Sequence, residues 1–230
     1  MDNFMKAMKM YIRTAVRPIT LAFGLGLPIA MLAAMIADPA EQGEKDYSSM
    51  IGCMGTMHMT LLIIFIIGNI VMSQMKFFSS LPQAKVLFTD VPIAAMGTVC
   101  LVFDIVTFAC AYIRCGSSTA ADLLIVDAVN TVVVCLMNAT MTKCRGKLYT
   151  VVSVFLILTF FNQVALLRRL SFINNGFGVT VPVAALMALA VYIVGFAAVH
   201  FFMQWWWKNS GRDYNNKYNV IAQNAAAGSA

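Results

Sequence analysis

Two aspartates within long apolar runs are the residues best placed to do chemistry in this sequence. Asp104 lies near the middle of the run 92–113, and Asp127 lies in the run 120–142. An ionised Asp at the centre of a bilayer costs about 2.5–3.5 kcal/mol on insertion scales, so such residues usually face protein or water. Because neither run contains a Lys or Arg, a protonated and hydrogen-bonded carboxyl is one way to bury each aspartate.

Polar residues near Asp127 form a stripe along one side of a predicted helix. At 3.6 residues per turn, four residues fall within about 100° of one another: Asp127, Asn130, Thr131 and Asn138. The stripe could line a substrate route, carry protons, or simply join helices through hydrogen bonds worth about 0.6 kcal/mol each. All three interpretations remain open. With Asp104, the candidate pathway residues are Asp104, Asp127, Asn130, Thr131 and Asn138.

The sequence predicts no catalytic, cofactor or metal site. His58 and His200 lie alone in apolar runs, where a packing or interface role is the commoner one. The six cysteines lack the spacing of a metal site, and a link between Cys110 and Cys115 is only weakly indicated. No H-E-x-x-H or G-x-S-x-G motif is present, which argues against intramembrane proteolysis.

Composition and hydropathy predict an all-α integral membrane protein. Charged residues make up 11% of the chain and apolar residues 60%, whereas soluble domains carry about 25% charged residues. A bilayer core needs about twenty apolar residues per helix. Six spans are predicted, at 18–37, 50–73, 92–113, 120–142, 148–167 and 181–206. The domains are then an amphipathic helix at 1–17, a transmembrane domain at 18–207 and a polar tail at 208–230.

Charge places both termini in the cytoplasm. Residues 2–17 form a predicted interfacial helix, with basic residues on one side and Phe4, Met8 and Tyr11 on the other. With the N-terminus inside, the 16 Lys and Arg residues lie in inner segments except for four in outer loops, Lys45, Arg114, Arg168 and Arg169. The predicted location is therefore a cell membrane, and the positive charge favours lipid contact over nucleic acid.

The inner connector between the second and third spans is the most informative segment. It reads QMKFFSSLPQAKVLFTDV over residues 74–91. Ser79-Ser80 before Pro82 is typical of a helix start, because a serine can cap the helix and proline is tolerated in its first turn. This pattern predicts a short helix over 83–90. The apolar side chains Leu81 and Phe88, and the pair Phe77-Phe78, need cover from the bilayer interface or from a partner protein.

The connector gives the chain a resemblance to a known family. An amphipathic helix, six spans and the motif Phe78-Ser79-Ser80-Leu81-Pro82 resemble the membrane subunit of a type-2 ABC transporter. The resemblance implies an N-terminal elbow helix and a cytoplasmic coupling helix that binds a separate ATPase. By this resemblance, the ATPase-coupling residues are Phe77, Phe78, Ser79, Ser80, Leu81, Pro82, Lys85 and Phe88.

The predicted function is an exporter permease that moves a hydrophobic or amphipathic solute. No G-x-x-x-x-G-K-[ST] motif occurs, so we expect this chain to bind no cofactor and the partner ATPase to bind ATP and Mg²⁺. In the family that the chain resembles, six spans make half a transporter, so the resemblance implies a homodimer or a related permease as the second half. Two alternatives are a proton-coupled secondary transporter using Asp104 and Asp127, and a non-transporting scaffold or immunity protein.

Overall fold

The computed structural model describes residues 2–15, 18–37, 48–74, 76–143, 154, 157–158 and 176–208. All regular structure in these ranges is helical. The helices, numbered α1 to α8 in chain order, are Asp2–Ala15, Pro18–Ala37, Ser48–Gln74, Lys76–Ser79, Ala84–Phe88, Asp90–Cys115, Ser117–Lys143 and Val181–Trp206. The predicted fifth span lies almost wholly outside the described residues, and so does the tail from residue 209.

Four described helices are long and apolar enough to cross a membrane, which indicates a membrane protein. They cover Met50–Met72, Ala84–Cys115 (α5 and α6 taken together), Ser117–Thr140 and Val181–Trp206. In α2 the described apolar stretch is shorter, at Gly24–Ala34, although the helix itself has the predicted bounds. These four helices fit a bilayer core about 30 Å thick.

Helix α7 lies at the centre of the described helices. It packs against α3, α6 and α8, whereas α2 packs mainly on α3. In its most apolar stretch 72% of the residues are buried, against 11% for α8. Polar side chains on α7 therefore face other helices, while most of α8 is left at the edge of the described part.

Helix α1 packs on protein along one side and leaves its cations exposed. Ala7, Tyr11 and Ala15 are buried, as the apolar side of the predicted amphipathic helix requires. A methyl group at Gly68 would lie 2.8 Å from the Cβ of Ala15, so glycine permits the close approach of α1 to α3. Lys6, Lys9 and Arg13 are exposed, and the exposed Met5 and Ile12 lie between the cations and the buried side.

The connector differs from its prediction in two details. The short helix α5 begins at Ala84 and has no side-chain cap, so the predicted serine cap is wrong. Ser80 instead donates its hydroxyl to the carbonyl of Phe77, 2.8 Å away, where α4 ends. Helix α6 starts at Asp90, because proline is tolerated in a first helical turn and Pro92 does not delay the helix.

The turn between α6 and α7 is a single residue. The sequence predicted a turn over 114–119, but Gly116 alone separates the two helices, with φ at +86°. Glycine adopts this left-handed conformation without steric cost. Cys110 and Cys115 on α6 are both free thiols, so they form no link with each other.

Candidate functional site

Three ionisable side chains from three helices meet in the interior of the bundle. His58 comes from α3, Asp104 from α6 and Asp127 from α7, and each is only 1% exposed. We call these three residues the central cluster. Asp104 and Asp127 lie about ten residues from the helix ends that flank Gly116, and His58 lies about ten residues from the start of α3. Ten residues are roughly 15 Å along a helix. The cluster is therefore deep within the apolar part of the chain.

Both ring nitrogens of His58 have polar neighbours. Nδ1 lies 2.8 Å from the carbonyl oxygen of Met54, one turn earlier in α3. Because a carbonyl oxygen only accepts, Nδ1 is the donor in this contact. Nε2 lies 3.1 Å from Oδ1 of Asp104 and 3.0 Å from Oγ1 of Thr131.

The other oxygen of Asp104 accepts two hydroxyl groups. Thr131 donates to Oδ2 at 2.6 Å, and Tyr192 from α8 donates to the same oxygen at 2.7 Å. Since the single hydroxyl proton of Thr131 is used here, its contact with His58 is a hydrogen bond only if Nε2 carries a proton. The geometry therefore favours an imidazolium–carboxylate pair between His58 and Asp104 over a neutral pair.

Asp127 is the less satisfied of the two carboxyl groups. Its Oδ1 lies 3.8 Å from Nδ1 of His58, beyond hydrogen-bond distance, and has no hydrogen-bond partner within the described residues. Since one imidazolium balances only one carboxylate, Asp127 brings a second negative charge or holds a proton. Because a buried unpaired carboxylate is costly, a second negative charge on Asp127 would have to be balanced by a proton or by another cation.

A second hydrogen-bonded network, separate from the central cluster, joins α1 to the bundle. Tyr11 donates to Oδ1 of Asn69 at 3.1 Å, and Nδ2 of Asn69 donates to Oδ1 of Asn138 at 3.0 Å. Asn138 in turn contacts the sulfur of Met96 at 3.3 Å. Burial raises the pKa of Tyr11, so its hydroxyl stays a neutral donor. A cavity of about 10 Å³ beside Asn69 and Asn138 is at the lower limit for one water.

The five predicted pathway residues are all buried at helix contacts. Asp104 and Thr131 are hydrogen-bonded to each other, and Asn138 belongs to the second hydrogen-bonded network. Asn130 is 4% exposed. Burial of this kind is what interhelical hydrogen bonding requires, and the predicted route for a substrate stays a prediction.

Neither histidine is alone, which corrects the sequence interpretation. His58 is in the central cluster, and Nδ1 of His200 lies 3.0 Å from Oδ1 of Asp90 at the opposite end of α6. Gln204 also donates to that oxygen, at 3.0 Å. Sequence reasoning found both cluster aspartates but missed His58 and Tyr192, because each is a single polar residue in an apolar run.

The connector packs against other parts of the same polypeptide, so fewer of its apolar side chains are exposed than the sequence predicted. Phe78 is 7% exposed and Phe88 is 3% exposed, with Phe88 stacked on Trp207 at a centroid distance of 6.3 Å. Gln83 contacts the sulfur of Met10 in α1 at 3.4 Å. Leu81 is half-buried, and the side chain of Ser79 lies outside the described residues. The remaining exposed residues, which we call the connector edge, are Phe77, Ser80, Pro82 and Lys85.

The fold and site together define a helical membrane protein with a buried His–Asp–Asp cluster. Comparison with known proteins finds no protein family, no curated protein and no solved structure that matches the chain.

Removal of the Asp104 charge tests the pairing in the cluster. We expect Asp104→Asn to lower the free energy of unfolding by about 3–5 kcal/mol, because His58 is left buried without its counter-charge. Asp122→Asn is the control on α7: Asp122 is also 1% exposed, and its Oδ1 accepts the backbone N–H of Phe177, which an amide oxygen can still do. Reversible unfolding in mixed micelles measures both losses. Equal losses for the two variants would contradict the pairing.

Proposed function

We propose that the chain is the transmembrane permease subunit of an ABC exporter, powered by a separate ATPase. In this proposal it has six spans, both termini in the cytoplasm, α1 as the elbow helix and α4–α5 as the coupling segment. It moves a hydrophobic or amphipathic solute across a cell membrane as a homodimer or with a related permease. The observation that carries the proposal is the connector edge, an exposed surface on a well-anchored segment.

The anchoring of the connector suits it to transmit force. Buried Leu87 and Phe88 fix α5 against the rest of the chain, and α5 packs on both α1 and α6. Only one residue, Thr89, separates α5 from α6, so displacement of the connector must displace the end of α6. A partner that binds the connector edge would therefore act directly on a predicted span.

Phe77 is the residue on the connector edge best suited to bind a partner. It is 65% exposed and meets the ring of buried Phe78 edge-on at 5.7 Å, so its ring is positioned by the chain yet uncovered. Aromatic side chains frequently dominate the binding energy of protein interfaces. Lys85, which is also exposed, adds a charge to the same surface.

Replacement of Phe77 tests the permease proposal. The chain is purified in a gentle detergent from its own host, and the associated subunits are searched for a Walker-motif ATPase. We expect Phe77→Ala to reduce the ATPase recovered per permease at least about tenfold, the effect of roughly 1.4 kcal/mol of binding free energy.

Phe201→Ala is the matched control, because Phe201 is 69% exposed on α8 and far in sequence from the connector. This variant should recover the wild-type amount of ATPase. Absence of any Walker-motif subunit from the wild-type preparation, or equal recovery with Phe77→Ala, would contradict the proposal.

A proton-coupled secondary transporter is the second candidate, and the central cluster is the observation that favours it. Buried His and Asp side chains within spans are typical of proton relays. In vesicles containing only this chain, we expect an imposed pH gradient to dissipate faster than in empty vesicles, and Asp127→Asn to abolish the difference. Asp122→Asn should behave as wild type. A wild-type protein that leaves the gradient unchanged would contradict this candidate.

A further inference from the structure

The central cluster brings together the donor atoms of a metal site. One nitrogen of His58 and one carboxylate oxygen each of Asp104 and Asp127 lie within 4.8 Å of one another. All three side chains are at least nine-tenths buried. Oδ1 of Asp127 has no hydrogen-bond partner among the described residues and is directed towards the imidazole of His58. That unpartnered oxygen is a second reason, beyond the proximity of the groups, to look for a ligand here.

The hydrogen bonds around the cluster leave the required donor atoms available. Nδ1 of His58 is committed to the Met54 carbonyl, which leaves Nε2 facing the carboxylate of Asp104. Ligating histidines usually donate their second ring N–H to a carbonyl or carboxylate in this manner. Thr131 and Tyr192 both bind Oδ2 of Asp104, which leaves Oδ1 facing Nε2 at 3.1 Å. Two ligands on one tetrahedral Zn²⁺ ion, at bonds of about 2.0–2.2 Å, are separated by roughly 3.4 Å.

Charge balance permits two electrically neutral forms of the cluster. In one form His58 is an imidazolium, Asp104 is ionised and Asp127 holds a proton. In the other form His58 is neutral, both carboxyl groups are ionised and one divalent cation balances them. The second form differs from the first by the loss of two protons, one from Nε2 of His58 and one from Asp127, and by the gain of one M²⁺ ion.

We propose that His58, Asp104 and Asp127 bind one divalent first-row transition-metal ion. One imidazole nitrogen with two carboxylate oxygens suits Zn²⁺, Mn²⁺ or Fe²⁺, whereas Ca²⁺ takes six to eight oxygen ligands. The inference rests on the geometry of the cluster and is independent of both proposed transport functions.

Two thiols and one phenol of the described residues also lie around the cluster. On α6 and α7 these are the thiols of Cys100 and Cys135, and on α8 the phenol of Tyr192. Cys100 also has a hydrogen bond with Thr131.

Zn²⁺ titration of the purified full-length chain, stripped with a chelator, tests the proposal. We expect one Zn²⁺ per chain, bound more tightly at higher pH because imidazole and carboxyl ligands bind a metal only when deprotonated. Isothermal calorimetry measures the stoichiometry and the affinity. A failure to bind Zn²⁺ would overturn the metal site.

Two variants with a control assign the bound ion to the cluster. Asp127→Asn preserves the shape of the side chain and removes one ligand charge, so it should fold and lose at least about 100-fold in Zn²⁺ affinity. His58→Gln should lose Zn²⁺ binding as well. His200→Gln replaces the other histidine, which lies at the far end of α6, and should bind as wild type.

Thermal melting provides a second readout for the same variants. Zn²⁺ should raise the melting temperature of the wild type and of His200→Gln but not of Asp127→Asn, because a ligand stabilises only a protein that binds it. Wild-type affinity in Asp127→Asn, or loss of binding in His200→Gln with retention in His58→Gln, would overturn the assignment to the cluster.

Discussion

The contact between the imidazole of His58 and the carboxylate of Asp104 is the interaction on which the described bundle most depends. Helices α3 and α6 each bury an ionisable group that an apolar environment would otherwise reject. Each group is accommodated because the other helix supplies its partner, and α7 and α8 add hydroxyl donors through Thr131 and Tyr192. Pairing of the two charges therefore requires these four helices to assemble in one relative position. Apolar packing alone would not specify that position.

Helix α7 links the central cluster to the connector end of the chain. Thr131 binds the cluster, and Asn138, two turns later, is joined through Asn69 to Tyr11 of α1. Helix α1 packs on α5, which carries part of the connector edge. A movement of the connector would thus reach α7 through hydrogen bonds as well as through packing. Under the permease proposal, this continuity would let a partner at the connector act on the interior of the bundle.

Sequence patterns predicted the helices better than the contacts between them. The bounds of α2, the start of α8 and the buried side of α1 follow from hydropathy and periodicity, because these depend on local sequence. The pairing of His58 with Asp104 joins residues 46 positions apart, and periodicity indicates a face but not its partner. The sequence did contain one indication that these residues lie at the same depth in the membrane. In successive predicted spans, His58, Asp104 and Asp127 lie about eight residues from the predicted outer end of the span. The serine cap failed because Ser80 satisfied the end of α4 instead.

The protonation state of His58 tests the central claim most directly. The chain has two histidines, so His200→Gln leaves His58 as the only imidazole. We expect ¹⁵N magnetic resonance of the metal-free, labelled protein in lipid at pH 7 to show protons on both ring nitrogens, with Nε2 coupled to a carboxylate. A neutral imidazole with an unprotonated Nε2 under those conditions would contradict the ion pair between His58 and Asp104.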